Sequence, residues 1–232
     1  SQNLKQDFIS TLAHDFKVPI IAQDNTYDLF LNGNFGELTQ IQKHAIENLK
    51  ISNNDLKNLI IDLLDAHKIE RRKLELNIEN INLNNLIKET IEQNQSILKI
   101  KGKEINFIEK EKINYKLDAF LIKRALNNLI SNAIYYGKNS KNIEIILNKN
   151  ENNIEISIID EGEGIKEDLN KIFKKYYTAS KKYSNIGVGL GLYIVNKIIT
   201  AHKGKITAKN IENRGACFIV ELPLTWFFKK IL

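Results

Sequence analysis

The chain has 232 residues, 43% hydrophobic and 27% charged, enough for one large or two modest cores beneath a solvated surface. Its formal charge of +6 comes from 34 basic and 28 acidic residues spread along the chain, with no arginine cluster and no aromatic–basic interleaving, which argues against a nucleic-acid partner. One cysteine, Cys217, excludes an internal disulfide and fits a reducing, cytoplasmic setting as a small buried hydrophobe.

No leader pattern and no 18-residue apolar run is visible. A start at Ser1 and the lack of methionine suggest a fragment whose upstream input region is missing, leaving open a membrane anchor in the full-length protein.

In chain order, Leu4, Phe8, Leu12, Phe16, Ile20, Tyr27 and Phe30/Leu31 recur at helical spacing over 2–32, interrupted by Pro19. "NGNFGEL" at 32–38 reads as a turn, and a second helical pattern runs from Ile41 to His67. Two helices of about 30 residues imply an antiparallel hairpin with an apolar stripe that no third helix covers. Pairing two hairpins into a four-helix bundle buries it, so a homodimer is expected.

Composition shifts near 70–75, giving a hairpin over 1–70 and a second domain over 71–232. There "KLELNIENINL" alternates as a strand does, and a single helix over 83–100 is expected, capped by Asn82 or Asn84. Strands follow at 104–108 and 113–117, then a helix at 118–136 and two strands in "NIEIILNKNENNIEISIID". After glycine-rich loops come a helix at 189–202 and a closing hairpin, "GKITAKN" to "ACFIVEL". Strands with helices on one side argue an α+β sandwich.

Three stretches carry chemistry. In "IIDEGEGI" an apolar strand ends at Asp160, with Gly162 and Gly164 behind it. A carboxylate at a strand end suits an exocyclic amine such as adenine's, and glycine lets backbone approach a flat ligand, although D-x-G-x-G also describes ordinary turns. In "IGVGLGLYIV" Gly187, Gly189 and Gly191 lead into a helix, whose free N–H groups and dipole favour phosphate. It is neither the dinucleotide fingerprint, since Leu192 stands where a small residue is needed, nor a P-loop. In "NNLISNAIYYG" Asn128 and Asn132 share a helix face and offer amide oxygens to a hard cation such as Mg²⁺, although in an asparagine-rich chain two asparagines also coincide by chance.

The order of these stretches resembles the catalytic core of bacterial sensor histidine kinases, whose nucleotide domain has the Bergerat fold shared with gyrase, Hsp90 and MutL. "AHDFKVP" looks like the phosphoacceptor box, "NNLISNA" the N box, "DEGEGI" the first glycine box, "IFKKYY" the F box and "GVGLGL" the second glycine box. "NRGACFIVELP" resembles the closing strand, so the likeness covers nearly the whole chain.

The resemblance implies an ATP-dependent protein-histidine kinase that phosphorylates His14 and passes the phosphoryl group to an aspartate on a response regulator receiver domain. Asp15 would orient the imidazole, with Lys17 in the usual basic position and Pro19 loosening the helix behind the acceptor. Asn132 would bind Mg²⁺, supported by Asn128. Asp160 would take the adenine amine against Gly162 and Gly164, with Tyr136 flanking the nucleotide. Gly187, Gly189, Leu190 and Gly191 would place N–H groups at the phosphates and hinge a lid, with Phe173 either packing the lid base or serving as plain core.

Three positions depart from the family pattern. Val18 stands where a Thr or Asn orients water in kinases that also dephosphorylate their partner, which predicts weak or absent phosphatase activity. Tyr135 and Thr178 replace usual basic residues, and Lys181 or Lys182 is the candidate to supply that charge. A catalytically weak nucleotide-binding scaffold is therefore the alternative. An ATPase clamp would need a glutamate base where Asn128 stands.

Overall fold

The computed structural model describes residues 2–71, 74–137, 141–177, 189–212 and 215–224; the side chains of residues 2–14 and 67–71 lie outside that description. The chain divides into two compact units, Ser1–Arg71 and Arg72–Leu232.

The first unit is a hairpin of α1 (Gln2–Leu31) and α2 (Gln40–Arg71). Helix α1 runs unbroken through Pro19. The proline has no N–H for the carbonyl four residues back, so the missing bond falls on Asp15. The connection turns at Gly33 and Gly36, both at positive φ. Thr39 then caps α2: its Oγ1 accepts from Gln42 N at 3.3 Å, while its own N–H donates to Gln42 Oε1 at 2.9 Å. This reciprocal capping box fixes where α2 begins. Ile20, Ile60 and Leu64 pack between the helices, and Asn53 Nδ2 donates to Ile20 O at 3.0 Å. Lys50 pairs with Asp28.

The second unit opens with a two-stranded antiparallel sheet, β1 (Glu79–Asn82) with β3 (Asn114–Leu117). The expected strand over 73–83 is thus shorter. Leu74, Leu76 and Ile78 do alternate in burial, but β3 offers only four partners, all taken by β1. The expected single helix over 83–100 is two, α3 (Leu83–Gln93) and α4 (Gln95–Ile100). At the joint Asn94 Nδ2 donates to Thr90 O at 2.8 Å and to Asn127 Oδ1 at 2.7 Å, competing with the backbone ladder. Asn82 is the cap of α3, accepting from Asn85 N. Asn84 is instead buried and accepts from Ile113 N at 2.8 Å.

The main sheet comprises β2 (Glu104–Glu109), β4 (Asn142–Lys149), β5 (Asn153–Asp160), β6 (Lys205–Ile211) and β7 (Gly215–Pro223), in the order β2-β4-β5-β7-β6. Only β2 and β4 run parallel. Period-two alternation sends Ile143, Ile145 and Leu147 of β4, Ile154, Ile156 and Ile158 of β5, and Phe218, Val220 and Leu222 of β7 to one buried layer. Opposite it lie α3, α5 (Ala119–Tyr136) and α6 (Gly191–Ala201), whose apolar sides are buried at Ile87, Leu126, Leu129, Ile130, Ala133, Ile194 and Ile198. No described helix is long and apolar enough to cross a membrane.

Candidate functional site

Asp160 owes its position to strand parity. It continues the alternation of Ile154, Ile156 and Ile158 and pairs with Ile143 across the ladder, so its carboxylate enters the buried layer at the strand's end, 5% exposed. There Oδ1 accepts from Gly162 N at 2.8 Å and from Ala216 N at 3.4 Å. Burial raises its pKa above the ordinary carboxylate value, opposed by those two N–H groups and by the charge of Lys103. Lys103 and Gly215 carried no distinguishing sequence signal in a lysine-rich chain with many turns. A Cβ on Gly215, at φ +96°, would lie 2.4 Å from Gly162 N and 2.6 Å from Asp160 O.

The glycine loop is held against this carboxylate. A Cβ on Gly162 would meet Tyr136 O at 2.8 Å and Gly137 Cα at 2.9 Å, so only glycine fits between the end of α5 and Asp160. Gly164, at φ +73°, lies against Asn210 of β6. Asn210 reads the loop as a strand would: Oδ1 accepts from Ile165 N at 2.7 Å and Nδ2 donates to Ile165 O at 2.8 Å. That clamp was invisible in an asparagine-rich sequence.

Asn128 and Asn132 lie half-buried along α5. Asn128 Nδ2 is buried without a hydrogen-bond partner. Its amide lies 3.7 to 3.9 Å from where a Cβ on Gly191 would be, at the start of α6. That helix has no side-chain cap at Leu190, which is itself buried, and a helix N-terminus of this kind favours an anion through its N–H groups and dipole. Gly189 sits at φ +71°, its carbonyl accepting from Tyr176 N at 3.0 Å; a Cβ there would meet Tyr177 O at 2.5 Å. The F-box segment is thereby docked on the second glycine box, with Ile172 buried and Phe173 half-buried.

Tyr136 is 37% exposed at the end of α5. The Lys101 ammonium lies 5.5 Å from the ring centroid of Tyr135. Gly187, Thr178, Lys181 and Lys182 lie outside the described residues. In the first unit Asp15, Lys17 and Val18 are exposed on α1, and His14 lies on the same helix with its side chain outside the description.

An amide pair fits Mg²⁺ carried by a nucleotide. Among the described residues no cluster of three carboxylate, imidazole or thiol groups would hold a metal ion by itself, and a hard cation that keeps its waters needs few protein ligands when phosphates supply the rest.

Residues 117–225 match the family model described as histidine kinase-, DNA gyrase B-, and HSP90-like ATPase. The adaptive-response sensory kinase SasA of Crocosphaera subtropica is 30% identical over 227 residues, covering 95% of this chain and 59% of SasA. The chain thus spans less than two thirds of that relative's length. The nucleotide-free catalytic domain of histidine kinase ThkA is 32% identical, with 63% of this chain and 97% of that domain covered and a TM-score of 0.57. ThkA solved in complex with response regulator protein TrrA aligns over 94% of this chain and 61% of that one, at 24% identity and a TM-score of 0.63. With a ThkA domain matched almost end to end by the same α+β sandwich that buries Asp160 beside a glycine loop, this chain belongs to the sensor histidine kinase family.

Proposed function

We propose that the chain is the kinase core of a two-component sensor, binding ATP in its second unit and phosphorylating His14 of the first. The observation that carries this reading is Asp160: a buried carboxylate held by two backbone N–H groups, on a wall where Gly137 and Gly162 leave no room for side chains. That wall suits a flat base whose amine donates to the carboxylate, and the uncapped start of α6 suits the phosphates.

In the transfer, an imidazole nitrogen of His14 bonds to the γ-phosphorus as the bond to the β–γ bridging oxygen breaks and ADP leaves with the electron pair. Asp15 holds the other ring N–H, keeping the attacking nitrogen unprotonated and stabilising the cationic ring as it forms. Asn132 would hold Mg²⁺, with Asn128 in support, and the ion would neutralise charge on the phosphates. An aspartate of a receiver domain is the next acceptor, a reading the ThkA–TrrA complex supports. Val18, 61% exposed, offers no group to orient water, so the partner is not dephosphorylated by that route. Exposed Phe16, Ile21, Leu29, Leu49 and Leu56 on the hairpin support a homodimer.

Incubation with γ-labelled ATP and Mg²⁺ is expected to give acid-labile, base-stable label that is absent from His14→Ala. Label persisting in that variant overturns the assignment of His14, and no label on the wild-type chain favours the scaffold reading.

A further inference from the structure

We infer that Lys103 is a positioning residue of the nucleotide site: its ammonium holds the carbonyl at the end of α5 and lies beside Asp160, the carboxylate that would meet the base. The inference rests on the reading of Asp160 as the group that recognises the base.

The local sequence dictates where Lys103 goes. Helix α4 ends in a Schellman turn, with Gly102 at φ +62° donating to Lys99 O at 3.2 Å and Lys103 N donating to Leu98 O at 2.8 Å. Glu104 N then donates to Lys141 O at 2.7 Å as β2 starts beside β4. Backbone fixed on both sides directs the Lys103 side chain inward, where it is 7% exposed; no other lysine whose side chain is described is buried. Nζ donates to the carbonyl of Gly137, the C-cap of α5, where a cation also meets the negative end of the helix dipole.

The same point meets Asp160. A Cβ placed on Gly137 would lie 3.4 Å from Lys103 Nζ and 3.4 Å from Asp160 Cβ, so ammonium and carboxylate arm converge on one glycine. Burial lowers the pKa of Lys103 and raises that of Asp160, and each charge opposes the other's shift. Glu161 follows Asp160 in the chain. Cys217 of β7 also interacts with Asp160, but burial pushes its thiol up and leaves it neutral. The desolvation of Asp160 is offset first by the Gly162 and Ala216 N–H groups and then by the charge of Lys103. A carboxylate that lost this partner would take up a proton at higher pH and stop accepting from the base amine.

The test measures ATP affinity by calorimetry across pH on the 232-residue chain, for wild type, Lys103→Met, Lys103→Arg and Asp160→Asn. Ionisations of ATP itself are common to all and cancel in the comparison. Lys103→Met is expected to move the acid limb of binding to higher pH, with Lys103→Arg close to wild type. Weakening by the same factor at every pH, or an unmoved profile, overturns the inference. If Lys103→Met yields no folded protein, Lys103→Gln keeps a donor for Gly137 O without the charge and decides the same question. Loss of binding in Asp160→Asn with an unmoved lysine profile sinks the role of Lys103 alone. Full binding in Asp160→Asn sinks the reading of Asp160, and the inference with it.

Discussion

At Gly162 the loop passes so near the end of α5 that a methyl group would overlap Tyr136 O and Gly137 Cα, both backbone atoms with little freedom to yield, and would crowd Asp160 Oδ1 at 2.9 Å. Gly162→Ala is therefore expected to push the carboxylate out of line. Calorimetric ATP affinity should fall by at least about tenfold, roughly 1.4 kcal/mol, while the far-UV circular dichroism stays native. Unchanged affinity would show that the loop relaxes without moving Asp160. Of these residues, Asp160, Gly162 and Gly164 were legible because an apolar alternation ending in an acid and spaced glycines is a pattern one strand and its loop contain entirely. Lys103, Asn210 and Gly215 were not, since each acts on Asp160 or its loop from another element.

Between elements, His202 links the end of α6 to the start of α5. Its Nδ1–H donates to Ile198 O at 2.8 Å, which leaves Nε2 to accept from Asp118 N at 3.0 Å, while Asp118 caps α5 by accepting from Leu121 N at 2.9 Å. The ring is fully buried, and burial lowers its pKa below the ordinary 6.5, opposed by its bond to Ile198 and by Asp118. The native state thus holds the ring neutral where the unfolded chain protonates it. The stability it contributes is complete above pH 6.5 and is lost as pH falls below that value. Urea denaturation is expected to show His202→Gln destabilised at pH 7.5 by about 1–3 kcal/mol, with a smaller further loss than wild type on going to pH 5. An equal loss in both proteins would exclude His202 as the source. The two places where element boundaries departed from expectation have the same kind of cause. Asn94 splits a helix by bonding Thr90 and Asn127, and β1 is only as long as its partner β3.

For the molecule as a whole, the hairpin presents large apolar side chains that its own two helices do not cover, with Leu49 and Leu56 51% and 46% exposed. Sedimentation velocity is expected to find a dimer that Leu49→Asp with Leu56→Asp converts to a monomer, the second unit keeping its ATP affinity. A monomeric wild-type chain at micromolar concentration would refute the bundle.

The sequence alone determined the long helices, most strands, the five boxes and their order. Those are signals of local periodicity and of residues adjacent in the chain, which the backbone's own repeats of 3.6 and 2 convert directly into structure. Only the tertiary structure decided how deeply Asp160 is buried, that a lysine just before β2 would lie beside it while an asparagine from β6 clamps its loop, and that His202 would be held neutral. Burial, charge pairing and ionisation depend on which side chains exclude water from one another. That is fixed by strand order and helix docking across tens of residues, and no stretch of the chain carries it by itself.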